Sequence, residues 1–175
     1  ANGSNGIGNI GFNVWKARGT YGIGILRSTN GGATWTRVFN KKTSDLFAIQ
    51  MLKFHPTNPN IIYACATDGL YRSTDGGATW PQTPLKALNY VTDIAISPTN
   101  PQQMVIAVGN MTDTDKGIYR SVDGGENWGK LTSANGLPTT FSGYIRLDNV
   151  GTDLFASIGG TSEELYMCTT GATDF

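Results

Sequence analysis

One nine-residue phrase recurs along the chain and constrains its fold more than any other feature. Residues 27–35 read RSTNGGATW, residues 72–80 read RSTDGGATW, and residues 120–128 read RSVDGGENW. A degenerate fourth copy, MCTTGATDF, occupies 167–175. The aligned positions Ser28, Ser73, Ser121 and Cys168 stand 45, 48 and 47 residues apart. So regular a period marks one supersecondary unit stacked on copies of itself, since a single unit cannot bury its own apolar face.

A second motif keeps step with the first. Residues 54–64 read FHPTNPNIIYA and residues 96–107 read ISPTNPQQMVIA. Pro-Thr-Asn-Pro cannot continue a central strand, because each proline lacks an N–H and fixes φ. It therefore marks a turn. The flanks alternate as half-buried strands do, with Ile49 and Met51 before one turn and Ile94 and Ile96 before the other.

Each period then resolves into four short strands, here A to D. The second unit places them near 48–54, 61–66, 69–73 and 79–84, and the third near 92–97, 104–108, 117–121 and 127–131. The fourth supplies A to C near 143–148, 154–158 and 164–168, and the first supplies B to D near 8–15, 22–28 and 35–39. The fold class is all-β: propeller blades of four antiparallel strands, about three and a half of them. The blades run about 1–40, 46–85, 90–132 and 141–175, the last incomplete.

The phrase S/T-x-D-x-G-x-x-W between strands C and D is the Asp-box, or BNR repeat. It resembles the boxes of sialidases, sortilin-type receptors, xyloglucan-cleaving propellers and photosystem assembly factors. The fuller pattern, PTNPNIIYA followed by GLYRSTDGGATW, is most similar to secreted, sortilin-like propellers of bacterial surfaces. The resemblance covers nearly the whole chain and is specific for fold rather than function. It implies a secreted or cell-surface protein that binds a glycan or a protein.

A seven-bladed or similar ring at this period takes roughly 330 residues. The expected partners therefore include the remaining blades of a parent polypeptide or a second copy of this chain. A small four-bladed ring closed by the N-terminal strand is the third arrangement. The opening ANGSNGIGNIG lacks the basic start and apolar core of a signal peptide. The expectation is a removed leader or a piece of something longer.

The box has a physical logic. A carboxylate or amide oxygen at Asp75 can accept backbone N–H bonds from the residues after it, with Ser73 as hydroxyl partner. Glycines supply positive φ, and Trp80 folds back as an apolar plug. The structural set is Ser28, Asn30, Gly32 and Trp35; Ser73, Asp75, Gly77 and Trp80; Ser121, Asp123, Gly125 and Trp128; and Cys168, Gly171 and Phe175. Asn30 stands where the others carry Asp75 and Asp123. A turn tolerates that exchange, whereas a general acid, a nucleophile or a hard-cation ligand does not. No metal, cofactor or catalytic residue is expected in the boxes.

Strands in a blade alternate in direction, so the repeating A–B turns and boxes share one face. The non-repeating B–C and D–A loops share the other, and loops that vary over a repeated scaffold are where binding residues collect. The candidates there are Trp15, Arg18, Tyr21, Lys41, Lys42, Tyr90, Asp113, Asp115, Tyr144, Glu163 and Glu164. Asp113 to Gly117 faintly resembles a calcium loop but lacks the downstream bidentate glutamate, so no metal site is read there. Asn2-Gly-Ser4 and Asn110-Met-Thr112 match the glycosylation sequon.

The rival expectation is a fragment of a glycoside hydrolase. Glycoside cleavage needs two carboxylates across the bond, and a sialidase-like site adds an arginine cluster. Only Arg18 stands clearly on the loop face. Arg27, Arg72 and Arg120 precede boxes, Arg146 lies in an inner strand, and His55 precedes a turn proline. The FRIP-like signature of sialidases and the aspartate-bearing start of xyloglucan-cleaving propellers are missing. The balance leans against an enzyme within these residues, with catalysis elsewhere or a purely structural module as alternatives. Zero formal charge and no basic stripe argue against nucleic acid. No apolar run is long enough to span a membrane. Cys65 and Cys168 read as small buried side chains, with a disulfide left open.

Overall fold

A computed structural model describes residues 22–41, 47–109, 114–138, 145–158 and 164–168, the last segment as backbone only. The strand expected near 8–15, both sequons and the end of the fourth box lie outside it. Among the described residues twelve strands follow in chain order: β1 (Ile25–Arg27), β2 (Thr36–Phe39), β3 (Ile49–Phe54), β4 (Ile62–Ala66), β5 (Gly69–Ser73) and β6 (Val91–Ile96). Then come β7 (Met104–Val108), β8 (Gly117–Ser121), β9 (Gly129–Lys130), β10 (Ile145–Val150), β11 (Asp153–Ile158) and β12 (Glu164–Cys168). They form four antiparallel sheets, β1-β2, β3-β4-β5, β6-β7-β8-β9 and β10-β11-β12. Each is an up-and-down meander, the form of a propeller blade.

Alternation along the strands gives the second and third sheets buried residues on both faces. Leu52, Ala64 and Tyr71 stand in register across the second sheet, and so do Lys53, Tyr63 and Arg72 one residue along. Ala64 and Tyr71 join Ile25, Phe39, Ile62 and Trp80 in a cluster between the first and second sheets. Tyr63, Cys65 and Leu70 join Ile94, Met104 and Ile106 between the second and third. Ala95, Val105 and Ile118 meet Ile145, Leu147 and Ile158 between the third and fourth. Sheets covered on both faces read as continuous apolar runs, and β7 is five residues of unbroken burial, MVIAV. The innermost strand β6 lies against both β3 and β10.

Three elements differ from expectation. The outer strand expected at 79–84 does not form. Pro81 and Pro84 lack the N–H groups a ladder needs, and pairing resumes as a single bridge between Leu70 and Lys86. The innermost strand of the fourth sheet runs 145–150 and turns tightly through Gly151, with no Pro-Thr-Asn-Pro. A short 3-10 turn at Ser133–Asn135, capped by Thr132, stands between the third and fourth sheets. Burial pushes the Cys65 thiol well above its ordinary pKa. The Cys168 side chain lies outside the described atoms.

Candidate functional site

The three described boxes share one hydrogen-bond plan. In the second, the Ser73 hydroxyl donates to Asp75 Oδ1 at 2.8 Å and accepts the Gly77 N–H at 3.0 Å. Asp75 Oδ1 also accepts the Thr79 N–H at 3.0 Å, and Oδ2 accepts the Thr79 hydroxyl at 2.6 Å. In the third, Asp123 takes the same bonds from Ser121 and Asn127. In the first, Asn30 Oδ1 accepts from Ser28 and from the Thr34 N–H, while its Nδ2 donates to the Thr34 hydroxyl at 2.8 Å. A threonine hydroxyl can donate or accept, so position 34 accommodates an amide as readily as position 79 accommodates a carboxylate. Gly76 and Gly77 hold φ of 68° and 75°, where a side chain is penalised.

These donors hold both carboxyls low. Asp75 lies well below the usual carboxylate range, chiefly through the Thr79 hydroxyl and N–H, and then Ser73. Asp123 is lowered to about 2, chiefly by the Asn127 N–H and side chain. A depressed folded pKa stabilises the fold above the unfolded value of 3.8 and loses that contribution as pH falls. Melting temperature is therefore expected to drop as pH falls from 4.5 toward 2.5. An Asp75→Asn/Asp123→Asn variant is expected to lose part of that slope. Melts across this range giving identical slopes for both proteins would remove the boxes as its source.

The second and third boxes are each tied to the A–B turn beside them. The Gly76 N–H donates to the Asn60 carbonyl at 2.8 Å, and the Gly124 N–H to the Gln102 carbonyl at 2.9 Å. Within the turns, His55 Nδ1 accepts the N–H groups of Thr57 and Asn58 at 3.2 and 3.1 Å. Ser97 Oγ plays the matching part for Asn100 at 3.2 Å. His55 is thus a turn acceptor, and burial lowers its pKa. On this face the repeating polar groups bond to one another.

The opposite face is built from non-repeating loops. Lys41, just past β2, forms an ion pair and hydrogen bond with Asp68 in the β4–β5 turn. It also donates to the Tyr71 hydroxyl at 2.8 Å, which in turn lies 3.0 and 2.9 Å from the Asp68 oxygens. The trio links the first sheet to the second. Burial, opposed by the Lys41 bond, raises Tyr71 to about 12, and the Asp68 bond raises Lys41. Both groups keep their protons to higher pH in the fold than in the unfolded chain. Their contribution is intact below about pH 10 and drains between about 10 and 12. Melting temperature is expected to fall steeply from about pH 10 to 12, and Tyr71→Phe is expected to flatten that fall. An unchanged slope in the variant would exclude this trio as the cause.

Tyr90 occupies the same face, directly before β6. It is the one non-glycine residue with positive φ among the described residues, at 55°. Its N–H donates to the Thr67 carbonyl at 2.9 Å, and its carbonyl accepts the Gly109 N–H at 2.7 Å. Both backbone groups are thus fixed by turns of two neighbouring sheets. An aromatic residue in the left-handed region is strained and persists only where its surroundings impose it.

Next along β6, a bulge between Val91 and Asp93 sets Asp93 opposite Ala107, whose side chain faces the fourth sheet. Asp93 is buried and accepts the Ile94 N–H at 2.9 Å and the Leu147 N–H of β10 at 3.1 Å. The Arg146 guanidinium lies 3.7 Å from it and is 57% exposed. Beside it, the Thr92 hydroxyl reaches the Ile145 carbonyl at 3.3 Å. Sequence reasoning passed over Asp93, although a charge inside the apolar run VTDIAI is a signal that a buried partner exists.

Of the loop-face candidates, Lys41, Tyr90 and Asp115 are described. Lys41 is paired as above. Asp115 is exposed, with its carbonyl accepting the Tyr119 hydroxyl at 2.8 Å. Glu164 begins β12, with backbone alone described. Trp15, Arg18, Tyr21, Lys42, Asp113, Tyr144 and Glu163 lie outside the described residues. The geometry joins Lys41 to Asp68 and Tyr71, and links Tyr90 to the turns on either side.

Meandering sheets stacked on apolar faces, with a box between the third and fourth strands, define an Asp-box β-propeller. The family profile Sortilin-Vps10, described as sortilin, neurotensin receptor 3, matches residues 24–153, and the chain belongs to that family. No curated protein matches it in sequence. An ancestral GH74 enzyme superimposes with TM-score 0.64 and 18% identity, over 83% of this chain and 20% of that one. The GH74 enzyme of Niastella koreensis gives 0.58 and 21%, over 81% and 24%. YCF48 bound to D1 peptide gives 0.52 and 20%, over 83% and 49%. At these identities the likeness is one of fold. The chain spans about a fifth, a quarter and a half of those three proteins.

Proposed function

We propose that this chain is a binding module of a secreted or cell-surface propeller. It takes a glycan or protein partner on the face of the B–C and D–A loops. The observation that carries the reading is Tyr90, held at φ 55° by backbone bonds to the turns on either side. A strained aromatic that a rigid scaffold over-determines is a ready platform for stacking on a sugar ring or an apolar side chain. The opposite face supports the same reading by contrast, because its repeating polar groups bond to one another. YCF48 is a propeller with a bound peptide, and the GH74 proteins are enzymes, so folds of this kind serve either ligand class.

A glycan array and a displayed-peptide library, each probed with the chain and with Tyr90→Gly, test the proposal. Glycine accepts positive φ, so the variant is expected to fold with an unchanged or higher melting temperature and to lose binding. Binding retained by Tyr90→Gly would move the site off this residue. No binding in either assay would leave a structural or assembly module. The likeness to GH74 enzymes favours a second reading, part of a glycoside hydrolase, and reducing-sugar release from xyloglucan by this chain would establish it.

A further inference from the structure

The first box differs from the other two in one bond as well as in one residue. The Gly76 and Gly124 N–H groups donate to the carbonyls of Asn60 and Gln102 at 2.8 and 2.9 Å. Gly31 holds the same box position, and its N–H meets no acceptor among the described residues. Gly31 is exposed, and a Cβ built on it would meet nothing within 4 Å. Directly before it stands Asn30, also exposed, the amide in place of Asp75 and Asp123.

An asparagine followed by glycine is open to attack by its own main chain, because no side chain crowds the approach of the glycine nitrogen to Cγ. Asn30 Oδ1 already accepts the Ser28 hydroxyl at 3.0 Å and the Thr34 N–H at 2.9 Å. Both donors polarise Cγ and sit where negative charge develops as the attacking bond forms. The chain holds a second described Asn-Gly pair, Asn135-Gly136, in which both groups are engaged. There Gly136 donates its N–H to the Ser133 carbonyl at 3.0 Å, and Asn135 Oδ1 accepts the Thr132 N–H at 3.0 Å.

We propose that Asn30-Gly31 is a self-modification site, at which the Asn30 amide becomes a carboxylate and the first box takes the wiring of the second. The Gly31 nitrogen loses its proton to solvent and bonds to Asn30 Cγ. The Cγ–Nδ2 bond breaks, and ammonia leaves with a proton returned by solvent. Water then opens the cyclic imide. Cleavage at Cγ gives an aspartate on an unchanged main chain, and cleavage at the main-chain carbonyl gives isoaspartate. The sum is amide plus water to acid plus ammonia, with no oxidation or reduction. In the aspartate product the Thr34 hydroxyl turns from accepting to donating, as the Thr79 hydroxyl donates to Asp75 Oδ2 at 2.6 Å. Asp75-Gly76 and Asp123-Gly124 are guarded against the same closure. Their glycine N–H groups are bonded, and their carboxyls stay ionised and so offer no leaving group.

The test incubates the folded chain in warm, mildly alkaline buffer and maps it by tryptic digestion and mass spectrometry. Asn30 falls in Ser28–Arg37, Asn135 in Leu131–Arg146, and the remaining pairs, Asn2-Gly3 and Asn5-Gly6, in Ala1–Lys16. Ser28–Arg37 is expected to gain the acid mass at least about fivefold faster than Leu131–Arg146, the lag set by one main-chain hydrogen bond. In urea the two rates are expected to converge. Equal rates in the folded chain overturn the proposal. So does a lead that persists unchanged in urea, since neighbouring residues rather than the fold would then set it. Asn30→Asp, which places the product directly, is expected to melt within a few degrees of the parent at neutral pH. A steep loss in that variant would show that the first box does not accept the carboxylate, and would overturn the proposed outcome.

Discussion

Trp80→Ala is expected to lower unfolding free energy by about 3–5 kcal/mol, the range for emptying a large aromatic from a packed core. The same substitution at Trp35 is expected to cost under about 1 kcal/mol, as surface changes do. The two residues hold one position in one motif, and only their surroundings differ. Trp80 lies in a buried cluster with Ile25, Phe39, Phe47 and Tyr71, while Trp35 is exposed. Its Nε1 is buried without a partner, whereas Trp35 and Trp128 donate theirs to the carbonyls of Gly32 and Gly125. Trp80→Phe therefore removes an unpaired donor along with some volume, and is expected to cost far less than Trp80→Ala. Urea titrations of the three variants check the ranking. Equal losses for Trp80→Ala and Trp35→Ala would contradict the packing described.

Asp93→Ala is expected to cost about 2–4 kcal/mol. Alanine would leave the N–H groups of Ile94 and Leu147 without their acceptor, and each buried orphan costs on the order of 1–3 kcal/mol. The inner strand of a blade has one open edge, and Asp93 closes part of that edge for β10 from the neighbouring blade. Asp93→Asn keeps one accepting oxygen and is expected to fall between alanine and wild type. Arg146→Ala is expected to cost under about 1 kcal/mol, because its guanidinium is largely solvated. Asp148→Ala on the exposed side of β10 serves as the control. Matching losses for Asp93→Ala and Asp148→Ala would mean that Asp93 does not tie these blades together.

Much of the fold was legible in the residues. The repeat gave the unit, the prolines gave its turns, and glycine with serine and aspartate or asparagine gave the box. Those features depend on bonded partners two to four residues apart, as Ser73 with Asp75, Ser73 with Gly77 and Asp75 with Thr79 are, so spacing in the chain already dictates the geometry. Asn30 signalled in advance that charge is optional there, and its amide makes the matching bonds to Thr34. The expected strand at 79–84 came from the repeat, which sets a fourth strand after each box, and Pro81 and Pro84 override it there. The proline rule applied to the A–B turns applies equally to that segment.

What the residues alone determined is therefore the local alphabet: strand, turn, box, and their order. The tertiary structure decided what each blade does to the next. Lys41 is a loop lysine until the β4–β5 turn brings Asp68 and Tyr71 beside it. Asp93 is an oddity in an apolar strand until a bulge aims it at the fourth sheet. Trp35 and Trp80 are indistinguishable in sequence, and one is exposed while the other is core. The physical reason is the same each time: burial, pairing and strain here arise between segments 19 to 54 residues apart, and no spacing rule spans that distance.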